Sequence, residues 1–245
     1  MRDRLKSALA AAISATWFGP VHIGHFVRTR QFRRQLRKLD LGRLRKVLDA
    51  GCGSGDYALE LARRCPGATI TALDLRQPAA PAGAPPNIVW VQGDLRELRA
   101  VGEYDLISCI DVLEHIPGNG QVLRRFFDAL APGGTLLVHM PDDRSGRRVL
   151  PARWFAEFDE WAQVEHVGEQ YTLAELVALL RSLGLAIRHA QYTFGWLGGL
   201  AWELDRLTDA RWRLKILLMP LLKLLAVLSL ATRPRQGSVM VLAQK

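Results

Sequence analysis

Apolar positions along the chain fall into short continuous runs separated by stretches of helical period, the pattern of strands covered on both faces. Lys46–Ala50, Ala68–Asp74, Asn87–Leu95 and Tyr104–Ile110 each read as such a strand, and Leu130–His139 reads as a turn and a fifth one. Tyr171–Gly184 has helical period, with a capping-box spacing between Thr172 and Glu175 and a natural stop at Gly184. Leu185–Thr193 and Ser238–Ala243 supply two more strands. Strand alternating with helix predicts one α/β domain built on a mostly parallel sheet.

Between the last two strands lies a long hydrophobic stretch, residues 194–236, that predicts helices. The run from Trp212 to Leu230 approaches the length of a membrane span, but it contains Lys215, Lys223 and Pro220, and the strand after it has to return to the sheet. At 100° per residue Arg211, Lys215, Lys223 and Ser229 share about a third of the helix circumference, which leaves a broad apolar face that includes Leu217, Leu221 and Leu225. That face suits an interfacial membrane helix, a lid over a lipophilic substrate or a dimer contact. The sequence divides into a helical extension (1–44), a core (45–193 and 237–245) and this insertion (194–236).

The turn after the first strand carries Gly51, Gly53 and Gly55, and then a helix whose first N–H groups lack partners. Such a loop lets a ligand approach the main chain closely, yet Gly53 to Ala58 also fits a dinucleotide fingerprint. The strands that follow end in acids: Asp74, placed to accept from two ribose hydroxyls, and Asp94, placed to accept from an adenine amine. The fourth strand runs into an acidic, imidazole-bearing turn, Asp111 to His115.

In this order, over residues 45 to 140, the chain resembles the class I S-adenosylmethionine-dependent methyltransferases, most closely the group that includes ubiquinone and menaquinone biosynthesis methyltransferases. The resemblance implies a Rossmann-like sheet of seven strands, mostly parallel with an antiparallel last strand and helices on both faces. It implies S-adenosylmethionine as cofactor: Asp49 and the loop Gly51, Cys52, Gly53 and Gly55 would hold its methionine part, Asp74 its ribose and Asp94 its adenine. Leu75 and Leu95 would sandwich the adenine ring, with Ile110 at the end of the fourth strand completing the site.

Three cysteines, Cys52, Cys65 and Cys109, are odd in number and lack metal-like spacing, so they predict no disulfide framework or zinc site and fit a reducing cytoplasm. The net charge of +9 is unevenly spread. Basic residues crowd 28–46, and Arg211, Arg213, Arg233 and Arg235 flank the apolar insertion, a distribution that suits an anionic membrane surface. Nucleic acid is not the expected partner, because Ile110–His115 stands where base-amine methylases carry an Asp/Asn-Pro-Pro-aromatic signature. Residues 1–18 superficially resemble a signal peptide but are expected to form an amphipathic helix instead.

A sulfonium methyl is already activated, so the protein has to align an acceptor and, where the acceptor requires it, remove a proton. His115, just after the fourth strand, is the first candidate base, and His139, at the end of the fifth, is the second. The plain alternative for Glu114-His115 is a tether for the next helix. Asp111, Glu114 and His115 are metal-type ligands, but a cluster so local does not close a site, and no metal is expected. His166 and Tyr171 lie in a segment suited to touching the acceptor, together with Met140–Pro151 and Trp154–Trp161, while Asp142 and Asp143 are expected to face solvent. These readings converge on O- or C-methylation of a small lipophilic acceptor at the cytoplasmic membrane face. The alternatives are a soluble-metabolite methyltransferase and a non-catalytic cofactor-binding partner protein. The oligomeric state stays open.

Overall fold

A computed structural model describes residues 22–142, 149–231 and 236–245. The expected N-terminal amphipathic helix, Asp143, Arg233 and Arg235 lie outside these residues. Seven strands form one sheet: β1 (Lys46–Ala50), β2 (Thr69–Asp74), β3 (Ile88–Gln92), β4 (Tyr104–Ile110), β5 (Leu130–Met140), β6 (Ala186–Phe194) and β7 (Gln236–Gln244), in the order β3-β2-β1-β4-β5-β7-β6. Strands β3 to β5 of that order pair parallel, and β7 runs antiparallel to β5 from Thr135↔Gln244 to Met140↔Val239. This is the Rossmann-like sheet expected from the sequence. Val47, Leu48, Leu106 and Ile107 have no exposed surface, which is why these strands read as continuous apolar runs rather than alternating ones.

The helices are α1 (Ile23–Leu36), α2 (Asp56–Arg64), α3 (Asn119–Ala129), α4 (Ala156–Glu165), α5 (Leu173–Ser182), α6 (Trp196–Leu207) and α7 (Trp212–Ala231). The predicted capping box is formed at α5: Thr172 Oγ1 accepts from Glu175 N, and the Glu175 carboxylate accepts from Thr172 N. Gly184 follows with φ +98°, a conformation that favours glycine.

Two compact units are distinguished. The larger comprises Gln35–Arg144, Trp161–Gln191 and Val239–Lys245 and carries most of the sheet. The other comprises the described parts of Met1–Arg34, Ser145–Glu160 and Tyr192–Ser238. Its core is Ile23 and Val27 of α1, Ala201 of α6, and Met219, Leu222 and Ala226 of α7. Within it the buried Glu203 carboxylate accepts from Val149 N (2.9 Å) and Leu150 N (2.7 Å), fixing the incoming chain to α6.

Helix α7 is turned opposite to an ordinary surface helix. Its polar residues Lys215, Lys223 and Ser229 are buried, while Leu214, Leu217, Leu221, Leu224 and Leu228 are exposed, Leu217 by 75%. Leu225, placed by the helical wheel on the outer face, packs against the unit's core instead, and Leu224 takes the outer position. No helix among the described residues is long and apolar enough to cross a membrane.

Candidate active site

The glycine turn sits between β1 and α2. Gly51 N and Cys52 N both donate to Leu73 O, at 2.8 and 2.9 Å, which folds the loop back onto the end of β2. Gly51, Gly53 and Gly55 have φ of +78°, +52° and +84°. A Cβ at Gly51 would strike Val112 and one at Gly55 would lie 2.5 Å from the Trp90 ring, whereas a Cβ at Gly53 would meet nothing within 4 Å. The outer glycines are therefore required by their neighbours, and the middle one faces open space.

Asp74, at the end of β2, ties this loop to the next. Its Oδ2 accepts from Gly53 N at 2.9 Å and its Oδ1 from Arg76 N at 3.0 Å. Asp49, at the end of β1, is 2% exposed; its Oδ1 accepts from Ser108 Oγ at 2.9 Å, and its buried Oδ2 has no hydrogen-bond partner. Burial pushes its carboxyl up to about 7, against the lowering effect of the Ser108 bond and of the nearby Ala58 backbone N–H. Cys52 is buried beside it, and its thiol is pushed up to about 12, first by burial and then by the charge of Asp49.

Asp94 follows β3 and caps a 3-10 turn, Leu95–Glu97. Its carboxylate accepts from Arg96 N at 2.8 Å and pairs with the Arg96 guanidinium at 2.6 Å, which holds it below the ordinary carboxylate range. Leu75 is 63% exposed and Leu95 is 5% exposed, so of the two leucines expected to bracket an adenine, Leu75 offers its side chain to solvent. Ile110, the last residue of β4, is buried and pairs in register with His139 of β5.

The imidazoles fall into two groups. His139 has no exposed surface, and its Nδ1 is bonded to Asp111 Oδ1, while Asp111 N donates to His139 O at 2.9 Å. Asp111 holds φ +54°, the one described non-glycine residue with positive φ, a strained conformation that this double tie to β5 maintains. His115 is exposed on the turn Leu113–His115, with Nδ1 2.9 Å from Glu165 O and its ring edge-on to His166, centroids 5.2 Å apart. Tyr171 donates to Asn119 Oδ1 at 2.9 Å and so ties its segment to α3. Asp142, expected to face solvent, is buried: only Pro141 separates it from the end of β5, whose last residue, Met140, pairs with Val239 and is itself buried.

Sequence reasoning passed over Ser108, Trp90, Val112 and the Asp111–His139 pairing. Ser108 had a readable signal as the polar residue in an apolar strand. The others depend on contacts 28 or more residues apart in sequence.

A family model described as a methyltransferase domain matches residues 23–190. Trans-aconitate 2-methyltransferase of Mycobacterium tuberculosis is 37% identical over 118 residues, covering 48% of this chain and 44% of the relative. The protein of the same name from Deinococcus radiodurans is 38% identical over 112 residues, covering 44% and 43%. The match thus spans less than half the length of these curated relatives. Among solved structures, an S-adenosylmethionine dependent methyltransferase from Mesorhizobium loti shares the fold with a TM-score of 0.57 at 22% identity, over 86% of this chain and 96% of that one.

Proposed function

The chain belongs to the methyltransferase domain family, and on that premise we propose that it methylates an oxygen or carbon of a small lipophilic acceptor, with S-adenosylmethionine as donor. The observation that carries the donor assignment is the pairing of a buried carboxylate oxygen on Asp49, lacking a hydrogen-bond partner, with the open Gly53 position held by Asp74. Asp49 would receive the methionine ammonium, the Gly51–Gly55 loop with Cys52 the methionine chain, and Asp74 the ribose. Asp94, Leu75, Leu95 and Ile110 would frame the adenine. When bound, the cofactor supplies an electrophilic sulfonium methyl. Calorimetry with S-adenosylhomocysteine and with NADH tests this: tight binding of the first and none of the second is expected, and the reverse overturns it.

Of the two candidate bases, His139 is favoured by its surroundings. Asp111 is bonded to the His139 Nδ1, which fixes the proton there and orients the ring at the end of the fifth strand. His115 spends its Nδ1 on a backbone carbonyl and stands in solvent. A hydroxyl or an acidic C–H acceptor needs such a base, whereas a carboxylate does not. The leucine face of α7 supports a lipophilic acceptor met at the cytoplasmic face of a membrane.

A second reading, a soluble carboxylate acceptor, draws on relatives named for trans-aconitate. Incubation with methyl-labelled cofactor and either a lipid extract or trans-aconitate separates the two. Label in the organic phase that is lost in His139→Gln supports the first reading. Label on trans-aconitate that survives His139→Gln supports the second.

A further inference from the structure

We infer that Glu114, His115 and His166 form a binding site for a divalent transition-metal ion, with zinc the best match. One ligand atom from each residue lies within 4.8 Å of the other two. A tetrahedral zinc with bonds of about 2.1 Å holds its ligand atoms about 3.4 Å apart, so modest side-chain rotation closes the set.

Backbone geometry brings the three together. Glu114 and His115 are neighbours on the turn Leu113–His115, and His166 follows the end of α4, its N–H bonded to Ala162 O at 2.8 Å. The two segments are joined by Gly168 N to Glu114 O at 2.8 Å, an approach so close that a Cβ on Gly168 would strike Leu113 O and lie 2.7 Å from Ile116 O. In sequence the cluster Asp111, Glu114 and His115 is too local to close a site; the fold brings up His166, 51 residues beyond His115.

The chemistry is that of a borderline metal. Glu114 is 2% exposed, and a carboxylate in so dry a setting attracts a cation more strongly than one in water. The Glu165 carbonyl can only accept, so His115 carries its proton on Nδ1 and keeps a lone pair on Nε2, the arrangement seen around metal-bound imidazoles. Two imidazoles and one carboxylate favour zinc, cobalt or nickel over magnesium or calcium. Three protein ligands leave a fourth position for water or an acceptor oxygen.

The test uses the full chain after dialysis against a chelator. Zinc titration by calorimetry should give one site per chain, and His166→Ala should weaken it by at least about tenfold while its affinity for S-adenosylhomocysteine, the measure of folding, stays unchanged. In the unaltered protein, zinc should protect His115 and His166 together from diethylpyrocarbonate. No zinc binding by the parent, equal affinity in a folded His166→Ala protein, or zinc binding with no protection of either imidazole overturns the site. The protection measurement decides the matter if the variant does not fold.

Discussion

Lys215 of α7 reaches Asp205 of α6 with Nζ 3.0 Å from Oδ1, and both side chains are almost wholly buried. Asp205 Oδ2 also accepts from Ile23 N at 2.8 Å, so one carboxylate fastens α7 to the start of α1. Asp209 and His22 complete the surroundings of the ammonium. This pairing determines which way α7 faces. A lysine pulled inward by its counter-charge sends the leucines on the other side of the helix outward.

Breaking that link should be costly. Asp205→Ala strands the Lys215 charge with only the half-exposed Asp209 beside it and removes the acceptor at the start of α1. The expected loss is about 3 kcal/mol, or a fall in melting temperature of about 10 °C, since removing one partner of a buried pair leaves an uncompensated charge. Calorimetric melting of parent and variant checks this, and a change under 2 °C would count against the buried pair.

Lys223 belongs to the same unit, its Nζ 5.5 Å from the centre of the Phe26 ring, and burial pulls its ammonium down to about 8. The unfolded chain keeps this proton to about pH 10.4. Between these values the unfolded state binds more protons, so the Lys223 contribution to stability rises with pH from about 8 to about 10 and is flat on either side. Lys223→Met should melt higher than the parent at pH 7 and show a smaller rise between pH 8 and 10. Parallel melting curves for the two proteins across that range would refute this.

Asp49 gives a pH dependence of opposite sign. With its folded-state carboxyl raised to about 7, against about 3.9 unfolded, its contribution to stability is greatest below pH 4 and is lost as pH rises through 7. The ionised form is the one that would bind the cofactor's ammonium. S-Adenosylhomocysteine should therefore bind about five- to tenfold more weakly at pH 6 than at pH 8. Asp49→Asn should bind weakly and without that slope, and Asp74→Ala should weaken binding by about ten- to a hundredfold while retaining it. Calorimetry at the two pH values measures all three.

How far the sequence could be read follows from the range of the interactions involved. The sheet was legible because strands buried on both faces leave unbroken apolar runs, as at Val47–Ala50 and Leu106–Ile110, and the glycine turn because its φ values admit little else. The capping box at Thr172 is a three-residue affair. What stayed hidden was set by distant partners: the inward turn of Lys215 by Asp205, the approach of His166 to His115 by Gly168, and the strained Asp111 by His139 on the neighbouring strand. A helical wheel sorts α7 into two faces but cannot say which is inside. Its usual assumption, polar side outward, fails where the charges have buried partners.

That inversion leads to the last prediction. Leu214, Leu217, Leu221, Leu224 and Leu228 are spaced three and four residues apart and form one exposed stripe, with Arg211, Trp212 and Arg213 at its start. Exposed leucine in such a row gains from insertion among lipid chains, and each arginine adds about 1 kcal/mol near an anionic surface. Binding to phosphatidylserine-containing vesicles should rise with the anionic fraction and fall with salt. Leu217→Asp combined with Leu221→Asp and Leu224→Asp should abolish it while leaving S-adenosylhomocysteine affinity and melting temperature near those of the parent, because none of these side chains belongs to a core. A heptad-like stripe also suits pairing with a second copy of itself. Sedimentation that shows a dimer in the parent and a monomer in the variant, with no vesicle binding by either, would assign the stripe to self-association and remove the support it lends to a membrane-borne acceptor.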